Sequence, residues 1–190
     1  MKIFTILSII FISILFCNPA SAQKIKMFGS KGVWEFGGTI FYSNTTPVAD
    51  GSVSGAYGVL QFQPVAGYFI HKGIEIGVQP SINMLFQSGY SYTNMALYLA
   101  PSYNFIIKGK VYPAIVGLIG YTSYSSSAPE QTSRGGFAWG FQGGVKINLL
   151  GNSLLFVGLQ YVQTTLNASG ASNRSGNNTI TLGAGWNVFF

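Results

Sequence analysis

An all-β chain closed into an eight-stranded antiparallel up-and-down transmembrane β-barrel is the fold class this 190-residue sequence predicts, from three observations. First, the chain is 15% aromatic and only 7% charged, where globular domains carry about a quarter charged residues. Second, beyond its N-terminal segment no apolar run approaches the roughly 20 residues a membrane helix needs. Third, apolar residues alternate with polar or small ones in one segment after another. Lipid offers no water to unpaired backbone groups, so a chain this apolar without a helical span crosses only as a closed barrel.

Taken from the start, MKIFTILSIIFISILFCNPASAQ has one lysine, an apolar stretch from Ile3 to Cys17 and the small-residue triplet Ala20-Ser21-Ala22. That is the pattern of a secretory signal peptide, cleaved after residue 22. The expected mature domain is 23–190, exported from the cytoplasm. Cys17, the single cysteine, lies inside the signal, and the bulky Phe16 before it argues against a lipid-acylation site. Disulfides are therefore excluded from the mature chain.

Strands are then read by their period of two, over the roughly 9–11 residues a barrel strand needs. In WEFGGTIFY, Trp34, Phe36, Ile40 and Tyr42 oppose Glu35, Gly37, Thr39 and Phe41. VLQFQPVAGYFI sets Leu60, Phe62, Pro64, Ala66, Tyr68 and Ile70 against Gln61, Gln63, Val65, Gly67 and Phe69. IEIGVQPSINM sets Ile74, Ile76, Val78, Pro80 and Ile82 against Glu75, Gly77, Gln79, Ser81 and Asn83. In MALYLAPSYNF, Met95, Leu97, Leu99, Pro101 and Tyr103 oppose Ala96, Tyr98, Ala100, Ser102 and Asn104. VYPAIVGLIGY is apolar on both faces, and its inward side stays open. FAWGFQGGVKIN sets Phe137, Trp139, Phe141, Val145 and Ile147 against Ala138, Gly140, Gln142, Gly144 and Lys146. LLFVGLQY sets Leu155, Val157, Leu159 and Tyr161 against Phe156, Gly158 and Gln160. The last segment sets Ile180, Leu182, Ala184, Trp186, Val188 and Phe190 against Thr181, Gly183, Gly185, Asn187 and Phe189.

Pro64, Pro80, Pro101 and Pro113 weigh against this reading, because a strand proline has no N–H for the ladder. Bulges or positions near strand ends are the expected accommodation. The connections alternate in length. His71-Lys72-Gly73, Lys108-Gly109-Lys110 and Leu150-Gly151-Asn152 read as tight turns. Ser43 to Ala56, Gln87 to Thr93, Ser125 to Arg134 and Thr165 to Asn177 read as long loops. Short turns on one side and long loops on the other fit an outer-membrane barrel, with the turns in the periplasm and the loops outside. The aromatics Trp34, Tyr42, Tyr68, Tyr103, Phe105, Tyr121, Trp139, Tyr161 and Trp186 recur near strand ends, as interfacial girdles do.

From about residue 30 to 190 the chain resembles the small eight-stranded outer-membrane proteins, the OmpA-like and OmpX-like barrels. The most specific piece of the resemblance is the C-terminal GWNVFF. It is similar to the terminal assembly signal of those proteins, so the resemblance makes Trp186, Val188 and Phe190 the residues read by the barrel assembly machinery. It also implies residence in the bacterial outer membrane, with outer-membrane lipid as the constant partner.

Glu35, Glu75 and Lys146 all fall on inward faces, near the turn-side ends of their strands. The interior of an eight-stranded barrel is just filled by side chains, and charges there are costly unless paired. A structural network is expected, with Gln61, Gln63, Gln79, Gln142 and Gln160 as further members; a polar gate for ions is the other reading. Acyl transfer needs a nucleophile with a base in reach, yet the only histidine, His71, lies in a turn away from the loop serines. Four acids, one histidine and no mature cysteine leave little for a metal site or a cofactor. The net charge of +6 is mostly lysine on the turn side, without the interleaved aromatics of a nucleic-acid surface.

The functional expectation is a non-enzymatic monomer with a structural or interactive role (envelope integrity or adhesion) through its long extracellular loops, which could contact an extracellular ligand or surface. The alternatives are a narrow pore for small solutes or ions and a soluble, lipocalin-like carrier of an apolar ligand. The carrier requires reversed faces, with Leu, Ile and Trp inside and Gln and Asn outside.

Overall fold

The computed structural model describes residues 26–45, 48–49, 52–53, 57–87, 90–126, 134–168 and 174–190. The signal-peptide reading of residues 1–22 lies outside the described residues. Ten strands follow one another: β1 (Trp34–Thr45), β2 (Val48–Ala49), β3 (Ser52–Val53), β4 (Tyr57–His71), β5 (Ile74–Gln87), β6 (Tyr90–Asn104), β7 (Val111–Ser126), β8 (Arg134–Leu150), β9 (Ser153–Ala168) and β10 (Arg174–Phe189). Eight of them form a closed antiparallel barrel in the order β1-β10-β9-β8-β7-β6-β5-β4, and β2 with β3 makes a two-stranded ribbon in the connection between β1 and β4.

Closure is made at the chain's last strand. β10 pairs with β1 from Glu35↔Phe189 to Tyr42↔Leu182. Phe190 N–H donates to the Trp34 carbonyl at 3.0 Å, and Trp34 N–H donates to the Phe190 carbonyl at 2.8 Å. Pairing the last strand with the first removes both sheet edges, which lipid cannot solvate. The Phe190 ring turns outward and stacks on Phe36, with centroids 5.5 Å apart.

The pleat sorts the side chains as the alternation predicts. Ile40, Leu60, Ile76, Leu97, Leu99, Phe141, Leu159 and Leu182 are exposed on the outside. Glu35, Gln63, Glu75, Gln142, Lys146, Gln160 and Asn187 are buried inside. The face left open in β7 is settled: Ala114, Val116, Leu118 and Thr122 point inward, and Val111, Ile115, Ile119 and Tyr121 outward. Outward aromatics meet in pairs, Trp34 with Tyr68 and Tyr103 with Phe105 at the turn end, Trp139 with Tyr161 toward the loop end.

Two sequence expectations are corrected. The strands run further than the alternation shows, so Ser43–Thr45, Val48–Ala49, Ser52–Val53, Gln87, Tyr90–Thr93, Ser125–Ser126, Arg134, Thr165–Ala168 and Arg174–Asn177, read as loop, are strand. Ladder pairing continues there without the strict alternation, which is imposed only where one face meets lipid. Pro101 and Pro113 lie within four residues of a strand end, as expected, but the other two prolines do not. Pro64 and Pro80 lie mid-strand, and pairing between β4 and β5 lapses from Phe62↔Ile82 to Ala66↔Val78 without a register shift. The two residues stand opposite each other, so both missing donors fall in one rung of the ladder. The irregularities in register lie elsewhere, at Phe69/His71 and Asn148/Leu150, beside tight turns.

Glycine sets the close approaches. Gly73 turns the chain at φ +75°, and a Cβ there would sit 2.5 Å from the Asn104 carbonyl oxygen. Within β10, a Cβ on Gly183 would lie 2.2 Å from the Phe41 ring, which is fully buried. Gly183→Ala is expected to cost about 1–3 kcal/mol in urea unfolding from lipid vesicles, as overpacking does. Gly143→Ala, with nothing within 4 Å of the added carbon, is the control; equal midpoints for the two variants would contradict this account.

Residues 26–33, which precede β1, were not read as structure from the sequence. They fold beneath the barrel. Ser30 N–H donates to the Met27 carbonyl and Val33 N–H to the Ser30 carbonyl, forming a compact turn. Gly32 N–H donates to the Phe69 carbonyl at 2.8 Å, and the Gly29 carbonyl accepts from Gly73 N–H at 2.8 Å. These bonds hold Phe28 and Val33 in a buried cluster with Phe69, Leu154 and Phe189. The turn-side mouth of the barrel is floored by this cluster.

Candidate functional site

Immediately above the floor lies a charged layer. Lys146 of β8 reaches across the barrel to two strands that are not its neighbours. Its Nζ donates to Glu35 Oε2 of β1 at 2.7 Å and to Glu75 Oε2 of β5 at 3.5 Å. The side chains of Lys146 and Glu35 are 7% and 1% exposed, so water screens them little and each needs partners. Glu35 Oε1 accepts from Asn187 Nδ2 at 2.6 Å. Glu75 Oε2 accepts from Ser102 Oγ at 2.8 Å and from Asn104 Nδ2 at 3.1 Å. The Phe28 ring comes up from the floor, its centroid 5.3 Å from the ammonium, a cation–π placement.

Geometry makes room for this layer. A Cβ at Gly67 would collide with the Glu75 carboxylate, and one at Gly37 with the Asn187 amide. Glu75 and Asn187 thus each lie over a glycine of the adjoining strand.

Further up, Gln61, Gln63 and Gln160 form an amide chain. Gln61 Nε2 donates to Ser81 Oγ at 2.9 Å and to Gln160 Oε1 at 3.2 Å. Gln160 Nε2 donates to Gln63 Oε1 at 2.9 Å. This again ties β9 to β4 through the interior rather than around the wall. Gln79 and Gln142 do not join that chain. They line, with Glu35, Glu75 and Lys146, a cavity of about 20 Å³, room for roughly one water. On the β6–β8 side the interior is apolar: Ala96, Tyr98, Ala100, Val116, Leu118, Ala138 and, from β9, Val162 pack together.

Of the residues singled out in the sequence, Glu35, Glu75 and Lys146 meet in one cluster, and Gln61, Gln63 and Gln160 in a second. Sequence reasoning missed Asn187, Ser102 and Asn104 as members, although their place on the inward face of the alternation was the available signal. It also missed Phe28, for which no periodic signal exists. His71 is exposed at the end of β4. Among the described residues, no three His, Cys, Asp or Glu side chains gather as metal ligands. Asp50 and Glu130 lie outside the described residues.

No protein-family model matches the chain, and no curated protein matches it in sequence. Solved structures do match in fold. Neisserial surface protein A (NspA) superposes with a TM-score of 0.65 at 16% identity, over 85% of this chain and 99% of that one. The N-terminal β-barrel domain of Pseudomonas aeruginosa OprF gives 0.56 at 12% identity, over 84% and 98%. The outer membrane protein OprG of the same organism gives 0.53 at 12% identity, over 85% and 97%. The fold is thus that of the small eight-stranded transmembrane barrels of the outer-membrane type. An apolar outside and a polar inside is the arrangement of a lipid-embedded barrel, opposite to the one a soluble carrier of apolar ligands requires.

Proposed function

We propose that the protein is a non-conducting, non-enzymatic monomeric barrel of the bacterial outer membrane. Its role is structural or interactive, exercised through the extracellular connections between β1 and β4, β5 and β6, β7 and β8, and β9 and β10. The observation that carries this reading is the filled interior. Phe28 and its partners floor the barrel, ion pairs and amides cross it, and the cavity among them has room for about one water. An ion passing through would have to displace both layers. Trp186, Val188 and Phe190, which turn outward in the C-terminal strand, are in this reading the segment that the assembly machinery recognises before closure pairs that strand with β1.

The test is single-channel recording on protein extracted from membranes and reconstituted in a planar bilayer, with heat-dependent gel mobility showing that the barrel is folded. A folded, silent protein is the expected result. Steady, reproducible openings would replace this reading with the narrow pore, and would make Glu35, Glu75 and Lys146 its selectivity residues.

A further inference from the structure

The turn-side face is rich in lysine, and among the described residues no acidic side chain is exposed on it. Lys26, Lys31, Lys72, Lys108 and Lys110 are all exposed there. The chain has four acidic residues. Glu35 and Glu75 are buried against Lys146, and Asp50 and Glu130 lie outside the described residues. Three of these lysines, Lys26, Lys72 and Lys108, rim a groove of about 400 Å³ whose apolar lining includes Met27, Ile106 and Ile107. Lys26 is held in place by its own backbone contact, Nζ donating to the Gly32 carbonyl at 2.7 Å.

Beside the lysines stand large apolar side chains with no cover: Met27 is 75% exposed, Ile107 53% and Leu150 79%. Ile107 follows Phe105 of the outward aromatic pair, and Leu150 ends β8. The apolar rim is therefore continuous with the lipid-facing wall. Cations and aliphatic groups presented together at the edge of a membrane span match one ligand chemistry, a phosphate head joined to acyl chains. An acidic peptide would satisfy the lysines but leave Met27, Ile107 and Leu150 in water.

We propose that this groove is a binding site for an anionic phospholipid of the periplasmic leaflet. The phosphate sits among Lys26, Lys72 and Lys108, and the glycerol and first methylenes lie over Met27, Ile106 and Ile107. The inference rests on the membrane-barrel reading.

The experiment measures motionally restricted lipid by electron paramagnetic resonance. The full chain, extracted from membranes, is reconstituted with nitroxide-labelled phosphatidylglycerol or phosphatidylcholine. A preference for the anionic lipid of at least about fivefold is expected, the effect of a single well-placed lysine. The triple variant Lys26→Gln/Lys72→Gln/Lys108→Gln should fall to near parity, and Lys31→Gln/Lys110→Gln should keep most of the preference. All substituted side chains are exposed, and heat-dependent gel mobility verifies each barrel. Salt at about 1 M, which shortens the screening length to about 3 Å, should abolish the preference in the unsubstituted protein and provides a readout independent of the variants.

Equal restriction of the two lipids overturns the proposal. So does a loss proportional to the number of lysines removed at either set of positions, which would mean diffuse attraction without a site. Poly-glutamate binding in the absence of any lipid preference would assign the face to an acidic protein segment instead. A chain that inserts and shows the gel shift but lacks the preference refutes the site alone, whereas a chain that needs no detergent refutes the membrane barrel beneath it.

Discussion

Lys146→Ala is expected to destabilise the barrel by about 3 kcal/mol or more, the cost of removing one partner from a buried ion pair. The substitution would leave Glu35 and Glu75 facing each other across a space without a cation. Asn187, Ser102 and Asn104 would still donate hydrogen bonds to them, but three neutral donors do not offset two carboxylates removed from water. The cluster has two acids and one base, so the acids are not equivalent targets. Glu75→Gln leaves the 2.7 Å pair between Lys146 and Glu35 in place and makes the layer neutral. It should change stability little. Glu35→Gln removes the shorter contact and should fall between the two. Urea unfolding from lipid vesicles, followed by heat-dependent gel mobility, provides the ranking. Equal effects for Lys146→Ala and Glu75→Gln would mean that charge balance does not govern this layer.

Phe28→Ala is expected to cost a comparable amount, about 3 kcal/mol, through the cavity it opens in the floor. The ring lies 4.9 Å from Tyr112, 5.3 Å from Phe69 and 5.4 Å from Phe189, centroid to centroid. Its loss should not be felt uniformly. Residues 26–33 are bound to the barrel by few backbone hydrogen bonds, Gly32 N–H to Phe69, Phe69 N–H to Val33 and Gly73 N–H to Gly29, so they form the part that can detach while the strands stay paired. Amide exchange at Gly32 and Gly73 should therefore accelerate in Phe28→Ala, with exchange at the centre of β8 and β9 unchanged. Bilayer recordings should remain silent, since the Lys146 layer and the glutamines still cross the interior. Slow exchange at Gly32 in the variant would show that Phe28 does not hold the floor.

Much of the wall was legible because lipid is an unforgiving environment for it. A face that meets hydrocarbon must be apolar at every second residue, and this is why the inward positions of Glu35, Gln61, Glu75, Gln142 and Lys146 could be read from their neighbours. β7 was illegible for a matching reason: Ala114, Val116 and Leu118 pack into an apolar patch of the interior, so both of its faces are apolar and the period vanishes. The loop-side strand extensions were missed because the strict apolar alternation that lipid imposes is absent from them. The opposed Pro64 and Pro80 could not have been paired from the sequence, since their meeting depends on the β4–β5 register.

The amino-acid sequence by itself determined the class of solution: strands rather than helices, which residues of every strand but β7 face in, and which end carries tight turns. Each of these follows from local constraints of period, turn chemistry and hydropathy. Only the tertiary structure decided who meets whom. Lys146 contacts Glu35 from 111 residues away in the chain, and Asn187 contacts Glu35 from 152. Such contacts depend on barrel closure and strand stagger, which fix the height of each inward side chain. The floor built by Phe28 belongs to the same category, because a short aperiodic segment acquires a position only when a closed barrel offers it an apolar mouth to fill.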